Sequence, residues 1–164
     1  MTLVVGSNSW NDACKAACKR SYSVVALAVR TDDEYQVFCG GENVAPAGLS
    51  NSPYIVTAAH CVYNYAGQKT NGWVGVDNLY AILGERDLTL NEGTEELIKI
   101  GQVFIHPGYV GAENDIALLK LVDLPQNVAR PLDMIRQAPS SGVKVFATGW
   151  GLQQEGLATS QASV

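Results

Sequence analysis

His60 stands in Thr57-Ala58-Ala59-His60-Cys61, and Asp115 in Asn114-Asp115-Ile116-Ala117-Leu118-Leu119. An imidazole from one segment and a carboxylate from a distant one can act together as a general base. The carboxylate fixes the imidazole tautomer and stabilises the imidazolium that forms on proton uptake. Such a base serves a weak nucleophile such as a serine hydroxyl, which reacts poorly at neutral pH without one. Ser140-Ser141-Gly142 and Ser160 are the candidates for such a nucleophile, but neither lies in a segment that marks it as one, the first falling beside a connecting stretch and the second near the end of the sequence.

Strands and turns must position these groups. Ser23 to Val29 is short, apolar and rich in β-branched residues, which predicts a strand. Tyr35–Phe38, Tyr54–Thr57, Tyr80–Leu83, Leu97–Ile105 and Ile116–Leu121 continue the series, with a helical turn from Ala58 to Cys61. Short strands separated by turn residues, among 16 glycines in all, predict an all-β barrel. Glu42–Ser52 and Tyr63–Asp77 read as lengthened loops on either side of the histidine strand. Pro125 and Pro131 punctuate a connection over 123–138, and Val143–Trp150 reads as one further strand.

A length of 164 residues with 47% apolar content bounds the chain to one domain with part of a second. The net charge of −5 disfavours a nucleic-acid role, which needs a basic surface. No apolar run reaches membrane-spanning length, and Leu3-Val4-Val5 is too short for the core of a signal peptide. Four cysteines, an even number, favour an oxidising compartment. Cys14 and Cys18 are open to a local bridge or to a partner elsewhere. A zinc site at that pair is disfavoured by the presence of only two histidines in the chain.

The His60 and Asp115 motifs resemble those of the trypsin/chymotrypsin family of serine endopeptidases (peptidase S1). Phe38-Cys39-Gly40-Gly41, Leu83-Gly84-Glu85, His106-Pro107-Gly108-Tyr109 and Ala147-Thr148-Gly149-Trp150-Gly151 match the family in its order. The resemblance covers the N-terminal two thirds of a family domain. It implies a trypsin-like antiparallel β-barrel fold, with the first barrel complete over 21–122 and a second only begun over 139–164. Residues 1–20 form an N-terminal segment with an inserted cysteine pair, and 123–138 the interdomain linker. It pairs Cys39 with Cys61 in a disulfide around the histidine loop.

The same resemblance makes His60 the base and Asp115 its orienting carboxylate in peptide-bond hydrolysis by a Ser-His-Asp triad. The family's Gly-Asp-Ser-Gly-Gly nucleophile segment is not present in the 164 residues. The chain alone is therefore expected to be inactive, and the competing reading is a catalytically inactive homologue acting as a binding module. Catalysis in the family requires no cofactor.

Glu85 to Glu95 resembles the family's calcium loop. Glu85 and Glu95 would bind through carboxylates, Asp87 and Leu90 through backbone carbonyls, and Glu92 through its carboxylate or a water. The other reading is a solvated acidic turn. The implied partners are a protein or peptide substrate or a protease inhibitor. A partner chain or self-association through the exposed barrel face is also expected. The implied location is secreted or extracellular.

Overall fold

The computed structural model of the chain describes residues 23–32, 34–63, 76–91, 93–126, 131–143 and 149–150. The strands are β1 (Val24–Thr31), β2 (Glu34–Ala45), β3 (Tyr54–Thr57), β4 (Leu79–Leu83), β5 (Glu96–Ile105), β6 (Ala117–Leu121) and β7 (Leu132–Asp133). A single-turn helix, α1 (Ala59–Val62), follows β3, and a 3-10 turn, Val76–Asn78, leads into β4. Hydrogen bonding runs in the order β1-β4-β5-β6-β3-β2, and β1 pairs with β2 to close the ring. The result is an antiparallel six-stranded barrel, as an all-β reading of the sequence requires.

Alternation along the strands builds the core. Val25, Leu27 and Val29 of β1 share one cluster with Leu79, Ala81 and Leu83 of β4 and Ala117, Leu119 and Leu121 of β6. The intervening Ala26 and Ala28 join Ile82 and Leu88 in a second, smaller cluster, against which Tyr35, Val37 and Trp150 pack. Successive side chains leave opposite faces of a strand, so two apolar clusters either side of β1 account for its unbroken run of buried residues. Shifts of register between Leu27 and Ala28 and between Ile100 and Gln102 mark the bulges. Bulges sharpen strand bending, which a closed barrel of this size needs.

β2 is longer than Tyr35–Phe38. It runs on through Gly40, Gly41, Glu42 and Asn43 to Ala45, so the start of the expected loop Glu42–Ser52 is strand. Pairing with both neighbours overrides poor local propensity here. Glu42 opposes Val24 of β1 and Val56 of β3. A Cβ on Gly41 would meet Ile55 Cγ2 at 2.8 Å and the Val56 carbonyl oxygen at 2.9 Å, so only glycine fits beneath β3. The buried Asn43 then donates Nδ2–H bonds to the carbonyls of Ser52 and Tyr54, both at 2.9 Å, and pins the loop that returns to β3.

Beyond the barrel, β7 adds to β2 in parallel, with Leu132 opposite Val44 and Asp133 opposite Ala45. The segment expected as a connection therefore contributes a short strand. Residues 144–148, most of the expected strand Val143–Trp150, lie outside the described residues, as do Cys14, Cys18 and Trp73. Trp150 is described: its Nε1–H donates to the Arg86 carbonyl at 3.2 Å.

Glu42 carries a stability consequence. Its Oε2 is buried without a hydrogen-bond partner. Burial pushes its carboxyl above the ordinary value, against a smaller opposing effect of the Ser23 hydrogen bond. A raised folded-state value favours folding while the group is protonated, and that contribution is lost as pH rises through it. Glu42→Gln is therefore expected to raise the thermal midpoint at pH 7 by about 2 °C, the scale of a fraction of a kcal/mol in such a domain. At pH 3.5, where the carboxyl is itself neutral, thermal scans of the two proteins should coincide.

Candidate active site

Thr57 ends β3 with its hydroxyl donated to the Gly40 carbonyl at 2.7 Å. Ala58 is extended, at φ −75° and ψ 141°, and the chain then turns into α1. Four residues make too short a helix to hold itself in water. Its anchors are the buried Ala59 and Val62 and a disulfide between Cys39 of β2 and Cys61, with Cα atoms 6.1 Å apart. His60 lies between these anchors with its side chain 61% exposed.

Asp115 arrives from the other direction. Asn114 adopts a left-handed conformation at φ 54°, which asparagine tolerates better than most residues. Its Nδ2–H donates to the Gly108 carbonyl at 2.8 Å, and the Ile116 N–H donates back to the Asn114 carbonyl at 2.7 Å. The Asp115 side chain is thereby presented at the entrance to β6. His106, the other histidine, serves this corner: its Nδ1 accepts the Gly108 N–H at 3.1 Å, and its own N–H donates to the Ile116 carbonyl at 3.1 Å. Tyr109 and Tyr63 pack ring to ring, with centroids 5.4 Å apart, and tie the corner to the end of α1.

The two motifs meet. His60 Nδ1 lies 2.7 Å from Asp115 Oδ2, and the His60 backbone N–H donates to Asp115 Oδ1 at 2.8 Å. Both carboxylate oxygens therefore face one residue, 55 positions away in sequence. The bond to the His60 ring, then the one from its backbone, holds the Asp115 carboxyl below its ordinary value. An ionised Asp115 only accepts, so the imidazole proton sits on Nδ1 and Nε2 keeps its lone pair. That is the tautomer a general base needs. The Asp115 contact to the backbone of α1 had no signal in the sequence. Asn114 did have one, as a residue type suited to left-handed turns immediately before the carboxylate.

With the fold and this pair in view, comparison with known proteins settles the family. A family model described as Trypsin matches residues 14–163. The chain belongs to the trypsin family. It is 35% identical to Trypsin-1 of Astacus astacus over 73% of the chain and 47% of that relative. It is 32% identical to Trypsin of Squalus acanthias, over 73% of the chain and 45% of the relative. Ovochymase of Halocynthia roretzi is 30% identical over 80% of the chain, which spans 8% of that protein. This trypsin-family chain thus covers less than half the length of these curated relatives. A solved structure described as GrC superposes with a TM-score of 0.60 over 98% of the chain and 63% of its own, at 21% identity, and supports the fold alone.

Glu85 is 3% exposed. Glu85, Leu90 and Glu95 line one cavity of about 240 Å³ together with Asn91 and Gly93, and Tyr35, Ile82 and Leu97 form an apolar wall to it. The Asp87 side chain stays local, its Oδ1 accepting from the Thr89 N–H at 3.0 Å and the Thr89 hydroxyl at 2.6 Å, while its carbonyl, the group the resemblance assigns to calcium, accepts from the Leu90 N–H at 2.8 Å. Glu92 lies outside the described residues. No three carboxylates of this loop converge among the described residues. Also among the described residues, no helix is long and apolar enough to cross a membrane.

Proposed function

We propose that this chain carries the base half of a trypsin-like serine endopeptidase, with His60 as proton acceptor and Asp115 as its orienting residue. The observation that carries this reading is the double contact of Asp115 with the ring and backbone of His60, at 2.7 and 2.8 Å. His60 Nε2 would take the proton of a serine hydroxyl as it attacks a peptide carbonyl, then return it to the leaving amine. The substrates are accordingly proteins or peptides, and protease inhibitors are natural partners. An oxidising location outside the cytoplasm suits the Cys39–Cys61 bridge.

The nucleophile is not supplied by a Gly-Asp-Ser-Gly-Gly segment within these 164 residues. Residues 1–164 alone are expected to show no peptidase turnover and no labelling by a serine-directed phosphonate. Stoichiometric labelling, mapped by mass spectrometry to Ser140, Ser141 or Ser160, would contradict this. The division into 1–20, 21–122, 123–138 and 139–164 follows the same reading. So does an association of the barrel with a partner chain or a second copy, supported by exposed apolar side chains such as Val110, Ile116, Met134 and Ile135. Such a chain could also act by binding alone, without cutting.

We also propose that the acidic loop takes a calcium ion. A buried Glu85 carboxylate beside a cavity edged by Leu90, Asn91, Gly93 and Glu95 suits a hard cation that prefers oxygen ligands. Glu85 and Glu95 would hold it through carboxylates and Leu90 through its carbonyl, with Asp87 and Glu92 completing the set. Calorimetric titration is expected to show one site with Kd on the order of 10⁻⁴–10⁻³ M, the range of extracellular modules, abolished in Glu85→Gln. A flat titration at 10 mM calcium (about ten times the upper end of that range) would remove the site.

A further inference from the structure

We propose that reduction of the Cys39–Cys61 disulfide creates a zinc site formed by Cys39 Sγ, Cys61 Sγ and His60 Nε2. These three atoms already lie within 4.8 Å of one another. Cys61 Sγ is 3.5 Å from His60 Nε2. Two ligands of a tetrahedral zinc ion, with Zn–S near 2.3 Å and Zn–N near 2.0–2.1 Å, stand about 3.5 Å apart, so this edge of the site is preformed. The two sulfurs need only separate to about 3.7 Å once the bond between them is broken.

The surroundings complete the arrangement. His60 presents Nε2 as the free nitrogen because Asp115 holds the proton on Nδ1 at 2.7 Å. A carboxylate on the far nitrogen of a zinc-bound histidine is the usual outer partner: it fixes the ring and raises its basicity. The exposed His60 side chain leaves room for the ion to enter and for a water as fourth ligand.

The chemistry balances with a dithiol as reductant. Two thiol–disulfide exchanges turn the protein disulfide into two thiols and the dithiol into its own disulfide. Zinc then displaces one proton from each thiol and binds two thiolates and a neutral imidazole. The ion takes the same lone pair that would act as the base, so the loaded form could not accept a proton there. The metal site itself does not depend on His60 being catalytic.

The test uses the full chain with Cys14→Ser and Cys18→Ser, so that no other thiols compete. It is reduced with a phosphine, which adds no thiolate of its own. Cobalt(II) is the probe, followed by displacement with Zn²⁺. The reduced protein should bind one equivalent with sulfur-to-metal charge-transfer absorption and release two protons, while the oxidised protein shows no such band. Asp115→Asn should weaken binding 10- to 100-fold, and His60→Ala by more. Absence of the band after reduction, or an affinity unchanged by His60→Ala, would overturn the proposal. Should reduction unfold the chain, Zn²⁺ is expected to restore its circular dichroism with His60 present and not with alanine there. Failure to restore it would overturn the proposal equally.

Discussion

Asp115→Asn, in residues 1–164 joined to the remainder of a trypsin-family domain bearing Gly-Asp-Ser-Gly-Gly, is expected to lower kcat about 10⁴-fold with little change in KM. The reason lies in one proton. Asp115 Oδ2 accepts from His60 Nδ1, which leaves Nε2 able to receive. An asparagine amide placed there can donate instead, so the imidazole proton moves to Nε2, where it blocks uptake from the hydroxyl. The fold barely changes, because amide and carboxylate have the same shape. His60→Ala removes the base altogether, and the expected loss is larger, about 10⁶-fold. Equal activity of the Asp115→Asn and unsubstituted proteins in a steady-state peptidase assay would show that the pair does not act as a base.

The same contacts set a pH dependence. His60 holds the Asp115 carboxyl below its ordinary value, so folding favours the charged form. Its contribution to stability is complete above the carboxylate value of the unfolded chain, about 3.9, and is lost as pH falls through the lower folded value. Glu42 has the opposite sign, because burial raises its value.

Loss of the Cys39–Cys61 bridge is the largest stability effect expected in the chain itself. The bridge closes a loop with a sequence separation of 22. In the chain-entropy model, opening such a loop costs about 3 kcal/mol. A domain of ordinary stability, about 5–15 kcal/mol, would lose a large fraction of its margin. The double substitution Cys39→Ala/Cys61→Ala should therefore lower the urea midpoint by roughly 1–1.5 M for a slope near 2–3 kcal/mol/M. It should also loosen α1, which would keep the buried Ala59 and Val62, the His60 N–H bond to Asp115 and the Tyr63–Tyr109 contact as anchors. A midpoint shift under 0.2 M would mean that β2 and β3 position His60 without the bridge.

Much of this architecture can be read from residue patterns. β1, β3, β4, β5 and β6 are runs of β-branched and other apolar residues; the ends of β3 to β6 fall within one residue of the sequence pattern, and β1 runs two residues further, to Thr31. β2 was legible only at its start. Gly40, Gly41 and Asn43 are poor strand formers, and what keeps them extended is pairing on both sides plus the two bonds of Asn43 to the loop. β7 is two residues long and has no periodicity to detect.

The site divides along the same physical line. His60 and Asp115 were visible because their motifs carry chemistry in the local sequence. The second contact, from Asp115 to the α1 backbone, depends on a left-handed Asn114 and could not be foreseen from residue types alone. In the acidic loop, composition showed the carboxylates but not the local bonds they make. Asp87 satisfies itself locally on Thr89, a competition typical of short polar side chains. Trp150 on the Arg86 carbonyl joins segments 64 residues apart and leaves no trace in either.

The central claim is that Asp115 holds the proton of His60 on Nδ1, and nitrogen-15 NMR of the His60 ring reads this directly. The expected spectrum of the neutral imidazole shows a protonated Nδ1 with a strongly downfield, hydrogen-bonded proton and an unprotonated Nε2, with the two exchanging roles in Asp115→Asn. A ring protonated on Nε2 in the unsubstituted chain, and indifferent to that substitution, would contradict it.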